Sequence, residues 1–96
     1  MVNYVLSNAA DNDLRKIYRY SLEEFGELKA VAYLKSLDEC FQTLASNPDI
    51  GKNINHIRSG YFQFTHDKHA VFYVKKKNSI FIVRILHGSM AADRHL

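Results

Sequence analysis

Cysteine is nearly absent from this chain. Cys40 stands alone, so no intramolecular disulfide can form and a reducing compartment fits. Proline occurs once, at Pro48, and glycine only four times, which excludes a linker-rich or low-complexity chain and leaves room for uninterrupted elements. No apolar run approaches the length of a membrane span, so no membrane is expected as a partner. The opening residues Met1-Val2-Asn3-Tyr4-Val5-Leu6 hold neither a basic segment nor a long apolar one, and the expectation is a cytoplasmic protein without a signal peptide. Tryptophan is missing, yet six Tyr and six Phe in a 47% apolar composition supply ample core material, and disorder is not expected. The 96 residues suffice for one domain, residues 1–96, and are too few for two cores.

Acidic residues are scarce in the second half. Residues 1–48 carry five Lys/Arg against seven Asp/Glu, a net −2, whereas residues 49–96 carry eight against three, a net +5, and hold all five His. A basic half suits a phosphate backbone or an acidic protein partner, and charge alone does not choose between them.

Periodicity supplies the elements. Val2 to Leu6 reads as a short strand, and Ser7 is a suitable N-cap for a helix with Asp11 and Asp13 near its positive end. Leu14, Ile17, Tyr18, Leu22 and Phe25 recur at helical spacing up to Gly26, a helix stop. A second helix is expected from about Glu27 to Ser46, with Val31, Leu34, Leu37, Phe41 and Leu44 as its stripe and Ala30 and Ala45 alongside. The loop Asn47-Pro48-Asp49-Ile50-Gly51-Lys52 ends it. Strands follow at about Ile57 to Phe64, His69 to Lys75 and Ser79 to Leu86, the last two joined by a tight Lys76-Lys77-Asn78 turn. The order β-α-α-β-β-β plus a short tail predicts an α+β fold, a helical hairpin packed on one face of a mainly antiparallel sheet.

Alternation along the last strand predicts Phe81, Val83 and Ile85 toward the helices and Ile80, Ile82, Arg84 and Leu86 on an open face. A guanidinium in so apolar a strand needs an anion, either a partner group or a carboxylate of its own chain. Arg58 and Phe64 share one side of their expected strand, and His69, Val71 and Tyr73 one side of theirs, so Arg58 or Tyr73 is a candidate neighbour of Arg84. His87, at the strand end, is a general acid–base candidate or a plain surface histidine. His66 and His69 lack the further ligands a metal needs, so no metal and no cofactor are expected. Lys75-Lys76-Lys77 reads as a solvated turn, Glu23-Glu24-Glu27 as a solvated helix face and Cys40 as a packed side chain.

A resemblance covers nearly the whole chain. Leu6-Ser7 leading into Asp13-Leu14 and Ile17-Tyr18, then Phe25-Gly26 and Leu44 to Lys52, match its first half. Ile57-Arg58-Ser59-Gly60-Tyr61, His69-Ala70-Val71-Phe72-Tyr73 and Arg84-Ile85-Leu86-His87-Gly88-Ser89-Met90 match its second. Together these resemble the ParE branch of the RelE/ParE toxin superfamily. The resemblance implies a toxin of a type II toxin–antitoxin module, of the kind tied to plasmid stabilisation. It also implies a ParD-like antitoxin that dimerises, binds DNA through its N-terminal part and wraps the toxin with its C-terminal arm. ParE toxins act on DNA gyrase, at its A subunit, and stabilise the cleaved enzyme–DNA complex, so DNA would be met only through antitoxin or gyrase. The RelE branch instead cuts mRNA on the ribosome.

RNA cleavage at a 2′-hydroxyl requires a base, an acid and cations for the phosphorane charge. The RelE-like sets resemble a Lys/Arg cluster with a C-terminal Tyr, or a Glu/His/Tyr combination. Here Arg58, Arg84 and His87 supply part of such a set, but Gly88 to Leu96 contains no Tyr and no lysine pair precedes Arg58. A non-enzymatic gyrase poison is therefore expected, with no catalytic residues; a ribosome-dependent ribonuclease and a non-toxic member that only binds antitoxin are the alternatives. Candidate target contacts are Arg58, Tyr73, Arg84, His87, Met90, Arg94, His95 and Leu96. Phe62 and the Thr65-His66-Asp67-Lys68 turn depart from the family pattern on the basic face.

Overall fold

The computed structural model describes residues 3–88, 90 and 92–96. Its elements run β1 (Asn3–Leu6), α1 (Asn8–Phe25), α2 (Glu27–Ser46), β2 (Lys52–Asn53), β3 (Tyr61–His66), β4 (His69–Lys75), β5 (Ser79–His87) and α3 (Ala92–His95). The helical hairpin covers one face of a five-stranded sheet ordered β1-β5-β4-β3-β2, the α+β arrangement expected. β1 is parallel to β5 and the other pairings are antiparallel. Val2, the expected start of the first strand, lies outside the described residues.

Local chemistry sets the boundaries. The Ser7 hydroxyl accepts from the Ala10 amide at 2.9 Å, satisfying an otherwise unpaired donor at the start of α1. The same hydroxyl donates to the Val83 carbonyl at 2.6 Å, which stitches that helix start to β5. Gly26 has φ +88° and ψ 172°, a region only glycine enters without strain, and its amide closes α1 on the Leu22 carbonyl. The β4–β5 turn closes through Lys76 N–H to the Ser79 carbonyl at 2.9 Å.

Several expectations need correction. The strand placed at Ile57 begins only at Tyr61. Before it, the Asn53 and Asn55 side chains accept from the amides of Asn55 and Gly60 at 2.9 and 2.7 Å and hold the segment in a turn, so Arg58 shares no strand with Phe64. The helix stripes are shorter than drawn. On α1 the buried residues are Ala10, Asp13, Ile17 and Ser21, while Leu22 and Phe25 are exposed, and on α2 Val31 is exposed as well.

Alternation along β5 is broken too. Tyr73 pairs with Ile82 but Phe72 with Arg84, so Val83 is an extra residue in a β-bulge. Ile80, Ile82 and, past the bulge, Ile85 join the core beneath the helices, which splits the expected trio of Phe81, Val83 and Ile85. Arg84 and Leu86 lie opposite Phe72 and Ala70 on the other face. That face is not open. Ile54, Ala70, Phe72 and Leu86 form a second buried cluster, against which Tyr61, Ala92 and Leu96 pack.

Candidate functional site

β1 ends at Leu6, paired with Ile82, so the rest of β5 has no strand on that side. The first turns of α1 take its place. Asp13, on the buried side of the helix, accepts from the Ile85 amide at 3.0 Å, a hydrogen bond a neighbouring strand would otherwise make. The same carboxylate receives Arg84 in a two-pronged grip, Nε at 2.8 Å and Nη2 at 3.0 Å. This fork-to-fork geometry is the strongest ion pairing side chains offer, and the Arg84 side chain is only 22% exposed. The hydrogen bonds to Asp13 push the guanidinium's pKa further up. Arg84 is thus paired within its own chain, the second of the two alternatives that an arginine in so apolar a strand leaves open. Its remaining nitrogen, Nη1, donates to the His95 carbonyl at 3.0 Å.

A second guanidinium meets the next carbonyl of the tail. Arg58, exposed in the turn before β3, donates from Nη1 to the Leu96 carbonyl at 2.6 Å and lies 5.7 Å from the Tyr61 ring centre. Arg58, Arg84, His95 and Leu96 are therefore brought together. His87 and Met90 join Arg84 around a cleft of about 340 Å³ that also meets Tyr20 and Lys16. Arg94 is exposed. Tyr73 is excluded from this grouping: it is fully buried on the helix face, stacked on Phe62 at 5.6 Å. Its hydroxyl donates to the Pro48 carbonyl at 2.8 Å and accepts from the Gly51 amide at 3.1 Å. The bulge separates it from Arg84, and its work is to hold the loop after α2.

Sequence reading missed two groups. Asp13 was legible only as an N-terminal helix charge; the signal was its place in the spacing Ala10, Asp13, Ile17, Ser21, which is the buried face. The other group lies where α2 meets the β3–β4 turn. There the Tyr33 hydroxyl is 2.6 Å from His69 Nδ1, Ser36 Oγ is 3.1 Å from His66 Nε2, and the His69 and His87 rings meet edge to face at 5.7 Å. Burial first, then the His87 charge, lowers the His69 pKa, with Asp67 opposing. Burial first, then Asp67, pushes Tyr33 up to about 12. The Tyr33 hydroxyl therefore keeps its proton at neutral pH, and the His69 tautomer decides which of the two groups donates. Tyr33, His69 and His87 line a cleft of about 330 Å³ with Tyr20, Phe25 and Lys29.

The helical hairpin carries the other notable surface. A groove of about 600 Å³ runs between α1 and α2 along Tyr4, Leu14, Tyr18, Leu34 and Phe41. Leu22 also lines it and is exposed, as are Phe25, Leu28 and Val31 toward the hairpin tip, Leu28 at 88%. Among the described residues no group of three or more His, Cys, Asp or Glu is placed to hold a metal ion, and no helix is long and apolar enough to cross a membrane.

Comparison with known proteins follows the same outline. Residues 4–92 match the family described as ParE toxin of type II toxin-antitoxin system, parDE. Toxin ParE1 of Mycobacterium tuberculosis is 36% identical over 94 residues, covering 97% of this chain and 96% of that one. Toxin ParE1 of Caulobacter vibrioides is 34% identical over 96 residues, covering 100% and 99%. A chain of the solved chromosomal ParDE TA system from P. aeruginosa superposes with a TM-score of 0.77 at 21% identity, over 91% of this chain and 96% of that one.

Proposed function

The chain belongs to the ParE toxins of type II toxin–antitoxin systems, and from that membership we propose that it poisons DNA gyrase by binding, without cleaving nucleic acid, and is neutralised by a ParD-like antitoxin. The observation that carries the choice of binding over cleavage is the Asp13–Arg84 pair. A phosphorane needs an uncommitted cation close to the reacting phosphate, and here the guanidinium in the sheet is already neutralised by the Asp13 carboxylate, with Nη1 taken up by a main-chain carbonyl. What the tail offers is contact surface: Met90, Arg94, His95 and Leu96 follow β5, and binding energy spreads naturally over such a mixed apolar and basic group. Gyrase would be engaged in the cytoplasm, at its A subunit.

The antitoxin reading draws on the helical hairpin. Leu22, Phe25, Leu28 and Val31 are exposed on the hairpin, Leu22 lining the α1–α2 groove itself, and large exposed apolar side chains near a groove suit a protein partner. An amphipathic arm laid along that groove would bury exposed apolar side chains of the hairpin.

The deciding experiment adds the purified protein to gyrase with supercoiled plasmid, and in parallel to translating ribosomes. Accumulation of cleaved plasmid with intact mRNA is expected. Ribosome-bound mRNA that is cut by the wild-type protein and spared by His87→Ala would overturn the proposal. Co-expression with the neighbouring reading frame, followed by gel filtration, tests the antitoxin: one complex peak is expected, and two separate peaks would sink it.

A further inference from the structure

We infer that Asp13 is the positioning residue of the C-terminal tail and acts on it entirely through Arg84. The inference deepens the reading that the tail meets the target. Among the described residues Asp13 makes no bond to the tail; its carboxylate takes two hydrogens from Arg84 and one from the Ile85 amide. A guanidinium held at two of its nitrogens has its plane and its direction fixed, so the third nitrogen, Nη1, can point only where the first two leave it, at the His95 carbonyl. Arg58 takes the adjoining Leu96 carbonyl from the other side.

Among the described residues the tail is also tied at its root, where Gly88 N–H donates to the Lys68 carbonyl and Met90 N–H to the His87 carbonyl, both at 2.9 Å, but these bonds lie ahead of α3. α3 spans Ala92–His95, and Leu96 N–H to the Ala92 carbonyl at 3.0 Å is the bond that closes its turn. So short a helix is far below the length that is stable alone. The carbonyls at its C-terminal end have no partners within the helix, and two guanidiniums supply them. Ala92 and Leu96 add apolar contact with the cluster of Ile54, Phe72 and Leu86, but apolar contact is not directional and does not fix a turn's orientation. Orientation comes from the two arginines, and one of those is aimed by Asp13. A carboxylate on α1 thereby governs a segment some eighty residues away in the chain.

The test measures backbone order in solution by 15N relaxation, alongside gyrase inhibition, for the full chain and for Asp13→Asn, Arg84→Lys and Arg58→Gln. Order parameters for residues 92–96 are expected to fall from about 0.85, as for rigid backbone, to below about 0.6 in each variant, while β4 and β5 keep rigid values. Arg84→Lys retains a charge beside Asp13 but loses the rigid fork, and it serves if Asp13→Asn does not fold. Arg58→Gln alters an exposed residue and loosens the tail without touching the Asp13 pair. Gyrase inhibition is expected to weaken about tenfold in each variant, about what losing one charge-assisted hydrogen bond costs. An unchanged tail in Asp13→Asn or Arg84→Lys, or inhibition unchanged when the tail is loose, would overturn the inference. Wild-type protein without effect on gyrase would end the proposed function while leaving the relaxation result to decide the role of Asp13.

Discussion

At the scale of single residues, the partner of a charge decides what its mutation reports. Arg84→Ala leaves Asp13 8% exposed with one main-chain donor in place of three bonds. The expected loss is about 3 kcal/mol, the lower end for a broken buried pair because the guanidinium retains some solvent. In a domain of this size that is a fall of more than about 10 °C in Tm, measurable by calorimetry. Loss of toxicity in Arg84→Ala would then reflect stability as much as contact, so Arg58→Gln is the cleaner probe of the tail. His69 makes the second residue-scale prediction. Its pKa lies below the ordinary 6.5, so the unfolded chain takes up the proton first as the pH falls. The stability tied to neutral His69 is whole above about pH 6.5 and is lost as the pH falls through the folded value. Urea midpoints measured from pH 7.5 to pH 5 should decline, and His69→Gln should flatten that decline; an equal slope in both proteins would refute the assignment.

At the scale of elements, the loop after α2 depends on one tight contact, and the tail on two guanidiniums and an apolar cluster. A β-carbon at Gly51 would overlap the Tyr73 hydroxyl, which is itself fixed between the Gly51 amide and the Pro48 carbonyl. Gly51→Ala should therefore destabilise by about 1–3 kcal/mol, as overpacking does, although Gly51 sits in a loop. Chemical denaturation checks this, and Tyr73→Phe combined with Gly51→Ala should recover part of the loss by removing the clashing atom. Removing residues 92–96 uncovers Ile54, Phe72 and Leu86 on the sheet's second face. The truncated protein should bind a hydrophobic dye, melt lower than wild type and lose gyrase inhibition together.

At the scale of the whole molecule, the sheet has two differently built coverings. The helices bury one face with a large apolar cluster, whereas a turn and a short tail close the other with a small cluster and two guanidiniums. The exposed row on the helical hairpin belongs to neither. Leu28→Glu should alter stability by less than about 0.5 kcal/mol, because the side chain is 88% exposed. It should nevertheless weaken antitoxin binding at least about tenfold if an arm lies along that row, since it sets a charge against apolar contact. Calorimetric titration with the antitoxin arm measures this, and unchanged affinity would move the antitoxin site elsewhere.

The sequence alone determined what local interactions decide. The order of the longer elements, the Ser7 cap, the Gly26 break, the extent of α2 and the Lys76-Lys77-Asn78 turn all rest on contacts within a few residues, and each was legible. The two-residue β2 and the four-residue α3 were not. The tertiary structure alone decided the partner of Arg84, the face of Tyr73 and the covering of the second sheet face. Arg84 and Asp13 are 71 positions apart, so no spacing announces their pairing, and a sequence offers an arginine in an apolar strand many acids to choose from. Tyr73 and Arg84 were set on one face because alternation assumes an unbroken strand, and one extra residue at Val83 reverses the side for everything beyond it. The tail read as a free surface because its four-residue helix has no stability or periodicity of its own; it exists where two guanidiniums and an apolar patch, assembled from distant parts of the chain, receive it.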